Sequence, residues 1–251
     1  MKMNLMKPMT RLLPLFALAT LLVFSASVFA QEAAIRKNLA ERLPKLPKID
    51  EVSKAPVAGL FEVRFGGTQI LYTDANGDFI FVNGSLVDAR TRIDLTEERI
   101  DKLSAIDFKD LPLKDAMVVK QGSGARKMAV FADPNCGFCK RFERDLLAVK
   151  DVTIYTFLIP ILGPDSTAKS RDIWCAKDSQ KAWRDWMIDN VTPPKTAANC
   201  NSEVLDRNLA LSKKHRINGT PALIFEDGSR KPGALPADQV ERLLAAAAKK
   251  G

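Results

Sequence analysis

Cys136 and Cys139 are the two residues of this 251-residue chain whose types and spacing are best suited to covalent chemistry. Two thiols separated by two intervening residues can form a disulfide and exchange it with a disulfide in another molecule. The expected division of labour is that the Cys136 thiolate attacks a foreign disulfide and Cys139 resolves the mixed disulfide that results. We therefore predict that both residues are catalytic.

The segments around this pair predict how it is positioned. Residues 127–132 form an apolar run typical of a buried strand, and the Asp-Pro-Asn sequence at 133–135 indicates a turn. Apolar side chains then recur every four residues, as along one face of a helix, at Phe138, Phe142 and Leu146. The sequence therefore predicts that Cys136 opens a helix.

A cysteine at the start of a helix is chemically activated. The backbone N–H groups of the first turn are unpaired there, and the helix dipole places its positive end there, so both favour a thiolate over a thiol. We expect Cys136 to be a nucleophile near neutral pH and Cys139, one turn further along, to be more shielded. The alternative is that the two cysteines form a purely structural disulfide.

A later proline is predicted to complete the site. A thioredoxin-type dithiol needs a proline loop that packs against the sulfurs, and Gly219-Thr220-Pro221 lies just before the apolar strand at 222–225. Composition alone would give a cis bond before Pro221 in only about 5–6 % of cases, so the order of the elements carries this prediction. The alternative is an ordinary trans proline before a strand.

Asp133 and the tryptophans are expected to have structural rather than catalytic roles. Asp133 is interpreted as an exposed turn residue, with assistance to proton transfer at Cys139 as the alternative. Packing is the expected role of the tryptophans of one helical region, which are Trp174, Trp183 and Trp186.

Cys175 and Cys200 are the other two cysteines of the chain, 25 positions apart. We expect them to be bonded to each other, which in the chain-entropy treatment would contribute roughly 3 kcal/mol to stability. Two separate thiols are one alternative. A four-cysteine zinc site is another, but it would require a second closely spaced pair, so no metal is expected.

The N-terminus has the composition of a secretory signal peptide. Residues 1–30 contain three basic and no acidic residues, an apolar stretch from Leu12 to Phe24, and small residues at the expected cleavage position after Ala30. The apolar stretch is short for a membrane span, and no later segment is long enough, so membrane insertion is not expected. Export favours stable disulfides.

The remaining chain changes its pattern along its length. Between residues 57 and 87 it alternates like antiparallel strands with Gly and Asn-Gly turns, and residues 95–108 indicate a helix. From residue 112 onward strands alternate with helices, with one long helical region at 166–190, as in an α/β domain. The formal charge is +8, or +5 without the three basic residues of the signal peptide. The basic residues form no stripe along the sequence that would indicate nucleic-acid binding.

Four segments resemble the DsbC/DsbG family of periplasmic thiol:disulfide interchange proteins. They are the runs at 55–60 (Ala-Pro-Val-Ala-Gly-Leu), 136–139, 173–178 (Ile-Trp-Cys-Ala-Lys-Asp) and 219–221. The resemblance covers nearly all of the chain after the signal peptide. One departure is Phe138, where the family usually has tyrosine.

The resemblance implies an architecture and a partner. An α+β N-terminal dimerisation domain (31–92) is joined by a linker helix (93–111) to an α/β thioredoxin-like domain with a helical insertion (112–251). A V-shaped homodimer would then place two dithiols on a shared cleft. The membrane reductase DsbD would keep the dithiol reduced. Besides the two cysteines, the active-site loops would contain Gly137, Phe138, Thr220 and Pro221.

The implied function is that of a periplasmic disulfide isomerase or reductase acting on misfolded exported proteins. It needs no cofactor, and we expect a redox potential between those of thioredoxin and DsbA, on the order of −120 to −270 mV. The alternatives are a thiol oxidase or a DsbG-like single-thiol reductase of the same fold, or a chaperone that acts without redox chemistry.

Overall fold

The computed structural model describes residues 15–196 and 199–249, with side chains described from residue 29 onward. The described residues fall into two compact units divided between Ile100 and Asp101. The first helix, α1, spans Leu15–Arg42 and runs across the predicted cleavage position, while residues 1–14 of the predicted signal peptide lie outside the described residues. Within the described part of the chain, no helix combines the length and apolar character needed to cross a membrane.

The first unit is built on a four-stranded antiparallel sheet. Its strands follow one another in space as they do in sequence, as β1 (Ile49–Lys54), β2 (Phe61–Phe65), β3 (Gln69–Thr73) and β4 (Ile80–Phe81). The tight turn between β2 and β3 uses Gly66 and Gly67, both at positive φ, which glycine adopts without steric cost. The sheet and α1 enclose one core, formed mainly by Ile35, Leu39, Ile49, Phe61, Val63 and Leu71.

Short elements follow the sheet. A two-stranded ladder pairs β5 (Val87–Asp88) with β6 (Ile93–Asp94), and helix α2 (Leu95–Ser104) begins directly after it. Thr96 fixes the start of α2 to the sheet, because its hydroxyl lies 2.6 Å from the Tyr72 hydroxyl and accepts the Leu86 backbone N–H at 2.8 Å. The sequence predicts this helix over residues 95–108. In the structure it ends at Ser104, and a 3₁₀ turn follows at Phe108–Asp110.

The second unit has a five-stranded mixed sheet. In spatial order its strands are β11 (Arg230–Pro232), β10 (Ala222–Phe225), β8 (Arg126–Ala132), β9 (Val152–Leu158) and β7 (Met117–Gln121). The central pair, β8 and β9, is parallel, and every other pairing is antiparallel. Its helices are α3 (Gly137–Leu146), α4 (Pro164–Trp174), α5 (Ser179–Asp189), α6 (Glu203–Lys214) and α7 (Ala237–Ala247).

Strand β8 is buried on both faces, which explains its continuous apolar sequence. Met128 and Val130 belong to a core shared with α3, α5 and α7, whereas Ala129 and Phe131 belong to the core on the opposite face. Phe131 stacks on Phe157 of β9 with ring centroids 4.9 Å apart. The strand that precedes the dithiol is thus fixed from two sides.

The single helix predicted at 166–190 is two helices in the structure. The region 166–190 breaks after Trp174, where Cys175 caps α4, and restarts at α5 because the Asp178 side chain accepts the Lys181 backbone N–H. The prediction of one continuous helix was wrong because apolar periodicity continues across the break, while the cap is a single side-chain contact. The strands β1, β6, β7 and β11 are also not predicted from the sequence.

Candidate active site

Cys136 lies where β8 ends and α3 begins. It is the N-cap residue of α3, with extended backbone angles, and its Sγ accepts the Cys139 backbone N–H at 3.4 Å. The helix start that the sequence predicts is therefore present. Both cysteines are reduced and buried, Cys139 more completely than Cys136.

The thiol of Cys136 is strongly acidified. Its pKa is lowered to about 5, chiefly by a hydrogen bond from the Cys139 side chain. Burial opposes this shift, while the Thr220 side chain and the N–H groups of Cys139 and Phe138 reinforce it. At neutral pH Cys136 is therefore a thiolate, which is the reactive form in disulfide exchange.

Cys139 behaves in the opposite way. Its pKa is raised well above that of an ordinary cysteine, first because it donates its proton to Cys136 and second because it is buried. The two sulfurs thus share a single negative charge, which resides on Cys136. This asymmetry makes Cys136 the more nucleophilic of the two sulfurs and leaves Cys139 protonated at neutral pH.

The proline loop faces the Cys136 sulfur. The peptide bond between Thr220 and Pro221 is cis, and the Thr220 carbonyl oxygen lies 3.2 Å from the Cys136 Sγ, which donates to it when protonated. Sheet pairing explains this approach, because Ala222 at the start of β10 is opposite Phe131 near the end of antiparallel β8. Residues 84 positions apart in sequence thereby meet.

The two residues between the cysteines are exposed. Gly137 has open space around its α-carbon, and the Phe138 ring is 62 % exposed although it is a large apolar side chain. Arg141 lies over that ring, with its guanidinium carbon 5.3 Å from the ring centre. A second chain can therefore reach this edge of the dithiol.

Asp133 corrects a prediction made from the sequence. It is fully buried rather than exposed, and both of its carboxylate oxygens accept hydrogen bonds. Oδ1 accepts from the Asn135 N–H (2.8 Å) and the Ser166 hydroxyl (2.7 Å), and Oδ2 accepts from the Ile161 (2.8 Å) and Leu162 (2.9 Å) N–H groups. Asp133 thus joins three segments beside the dithiol. The turn sequence gave no signal of this, because three of the four donors are distant in sequence.

Cys175 and Cys200 form a disulfide with their α-carbons 6.0 Å apart. The bond ties the end of α4 to the segment before α6, so these sulfurs do not join the dithiol. Within the described residues, no group of three or more His, Cys, Asp or Glu side chains is arranged to hold a metal ion.

Glu143 is a titratable group near the dithiol that the sequence did not single out. It lies one helical turn after Cys139 on α3, and burial raises its pKa to about 7 although Trp183 Nε1–H donates to its Oε1 at 2.9 Å. Glu143 lines a small cavity of about 70 Å³ that is bounded by α3, α5, β7 and β9.

Comparison with known proteins finds one family model for each part of the chain. Residues 26–97 match the disulfide bond isomerase protein N-terminal domain, and residues 113–248 match the thioredoxin-like domain. A solved disulfide interchange protein from Neisseria gonorrhoeae superposes with a TM-score of 0.52 at 36 % identity, covering 55 % of this chain and 98 % of that one.

Two curated relatives extend the match over most of the chain. The probable thiol:disulfide interchange protein DsbC of Bordetella pertussis is 46 % identical over 214 residues, which is 85 % of this chain and 74 % of the relative. The thiol:disulfide interchange protein DsbC of Escherichia coli K12 is 30 % identical over 237 residues, which is 91 % of this chain and 94 % of the relative. The chain belongs to the DsbC family of thiol:disulfide interchange proteins.

Proposed function

We propose that the protein is a disulfide isomerase and reductase that attacks non-native disulfides in exported proteins through Cys136 and Cys139. The observation that carries this proposal is the opposite ionisation of the two thiols. A thiolate at the start of α3 is ready to attack, and a more deeply buried thiol is held in reserve beside it. In this proposal Gly137, Phe138, Thr220 and Pro221 form the surface that receives the substrate chain.

The proposed reaction begins when the Cys136 thiolate attacks one sulfur of a substrate disulfide. The substrate bond breaks, a Cys136–substrate disulfide forms, and the second substrate sulfur leaves as a thiolate. In isomerisation, another substrate thiolate attacks the mixed disulfide, forms a new substrate disulfide and releases Cys136. In reduction, Cys139 loses its proton and attacks Cys136, which releases a reduced substrate and leaves the two cysteines bonded.

The acidity of Cys136 supports an intermediate redox potential. Its pKa of about 5 lies between the values of roughly 7 for thioredoxin and 3.5 for DsbA. A more stable thiolate stabilises the reduced dithiol and makes its disulfide more oxidising, so we propose a potential of about −120 to −270 mV.

Reduction of a substrate consumes two electrons, so the oxidised dithiol needs a reductant. We propose the periplasm as the location, on the signal-peptide composition of residues 1–30, and the membrane reductase DsbD as the electron donor, on family membership. Periplasmic export also fits the disulfide between Cys175 and Cys200.

The N-terminal unit, in the proposed domain 31–92, carries an apolar surface suited to a second copy of the chain. Strand β4 is an edge of its sheet, and the run from Phe79 to Val82 is exposed, with Phe81 61 % exposed. An apolar groove of about 580 Å³ adjoins it, lined in part by Leu43, Leu46, Phe65, Ile80 and Val82. Exposed apolar edge strands pair readily with other strands, and this supports a homodimer.

Phe81→Lys tests the homodimer. The full-length mature chain should sediment at twice its monomer mass, and the new charge on the edge strand should shift it toward the monomer at micromolar concentration. Val57→Lys is the matched control, because Val57 is also an exposed apolar residue of this unit but lies outside the edge strand. A wild-type protein that sediments as a monomer would contradict the proposed dimer.

Two forms of ribonuclease A separate the proposed activity from its alternatives. An isomerase should restore activity to scrambled, fully oxidised ribonuclease in a glutathione buffer, many times faster than the buffer alone. A thiol oxidase would instead reactivate reduced ribonuclease and leave the scrambled form inactive, and a single-thiol reductase would only release thiols. A chaperone without redox activity would prevent aggregation and reactivate neither. Failure with the scrambled form would refute the isomerase.

A further inference from the structure

Trp186 contacts the segment that precedes the catalytic cysteine. It lies on α5, and its indole Nε1–H donates to the Pro134 carbonyl oxygen at 2.6 Å. Pro134 is buried and stands two residues before Cys136. A buried carbonyl needs a hydrogen-bond donor, and here the donor is a side chain 52 positions away.

The ring of Trp186 is also the meeting point of three helices. The Lys140 ammonium of α3 lies 3.8 Å from the ring centre, and that of Lys169 on α4 lies 4.9 Å from it. Lys140 follows Cys139 directly in the chain, and its Nζ also donates to Asn190 Oδ1 at 2.6 Å, just after α5. Two cations on one ring are each attracted by its π-electrons.

We infer that Trp186 is a positioning residue for the exchange reaction, in which its N–H holds the Pro134 carbonyl so that Cys136 stays at the N-cap of α3. The inference rests on the proposed attack by Cys136. The Cys136 sulfur accepts the Cys139 N–H at 3.4 Å, and in this inference the contact depends on the position of the 133–136 turn. A turn that loses its donor will place the sulfur less well against the helix start, where the thiolate is stabilised.

Trp183 offers a matched control on the same helix. Its Nε1–H also donates to α3, but its acceptor is the Glu143 carboxylate rather than the backbone of the active-site turn. Trp183 is moreover the more deeply buried of the two. A general loss of packing on α5 should therefore affect Trp183→Phe at least as much as Trp186→Phe.

The test is titration of the Cys136 thiolate by its absorbance at 240 nm in the reduced full-length protein. Trp186→Phe keeps an aromatic ring and removes the donor, and we expect it to raise the Cys136 pKa by roughly 0.5–1 unit, given the typical strength of one hydrogen bond. Iodoacetamide should then modify Cys136 roughly 3–10-fold more slowly at pH 4, below its pKa. Trp183→Phe should leave both quantities unchanged.

Two outcomes would contradict the positioning role of Trp186, and a third would contradict the proposed function. An unshifted Cys136 pKa in a folded Trp186→Phe protein refutes the positioning role, even if its melting temperature falls. Equal shifts in both variants refute it as well. A wild-type pKa near that of free cysteine refutes the proposed function instead.

If Trp186→Phe does not fold, the inference is tested on the indole N–H of Trp186 in the wild-type protein. Its N–H proton should be protected from hydrogen exchange, and its NMR resonance should move when Cys136 is alkylated. Exchange as fast as in free tryptophan would refute the inference.

Discussion

Cys136→Ala should reduce disulfide exchange by at least about 100-fold, because it removes the thiolate that begins the reaction. Cys139→Ala is the matched control, since it keeps the attacking sulfur and removes the resolving one. That variant should still attack substrate disulfides and accumulate mixed disulfides that survive on a non-reducing gel. Full reactivation of scrambled ribonuclease by Cys136→Ala would contradict the thiol mechanism.

The pH dependence of the same sulfur gives a second measurement of this prediction. With its pKa at about 5, Cys136 is ionised above that pH, so its alkylation rate should be nearly constant from pH 6 to 8. The rate should fall by half near pH 5 and about tenfold for each further pH unit. A free cysteine, with a pKa near 8.5, would instead react faster with each step up to about pH 8. A rate that rises in that way would show that neither the Cys139 side chain nor the helix start lowers the pKa of this thiol.

The dithiol was predictable from sequence because its chemistry depends on neighbours along the chain. The helix start at Cys136 follows from an apolar run, a turn and a four-residue periodicity, all within about twenty residues. The pKa of Cys136 is lowered chiefly by the Cys139 side chain and further by the N–H groups of Cys139 and Phe138, all of which lie in its own first helical turn.

Asp133 and Trp186 could not be assigned in this way, because the tertiary fold supplies their partners. Parallel strands end at the same edge of a sheet, so the turn after β8 meets residues 161–162 after β9. Only that arrangement brings the N–H groups of Ile161 and Leu162 to the Asp133 carboxylate. In the sequence Trp186 is likewise one of three tryptophans that are expected to pack. Only the position of α5 in the fold brings its N–H to the Pro134 carbonyl oxygen.

Asp133→Asn should lower the free energy of unfolding by about 2–4 kcal/mol, which is large for an isosteric change. Both carboxylate oxygens accept from backbone N–H groups, and an amide has only one oxygen. The amide oxygen will face the Ile161 and Leu162 donors, and its NH₂ group will then face the N–H of Asn135. A partly buried donor beside Cys136 is thereby left without its acceptor.

Asp165→Asn is the matched control for this prediction. Asp165 also contacts Asn135, accepting its side-chain amide at 2.7 Å, but it is 71 % exposed, and water can replace its contacts. Urea denaturation of the reduced proteins should therefore show a loss of stability in Asp133→Asn alone. Because Asn135 adjoins Cys136, Asp133→Asn should also slow exchange in the protein that remains folded. Equal stability of the two variants would mean that the buried carboxylate does not hold the three segments together, and that the active-site turn is fixed by the sheet and by Trp186.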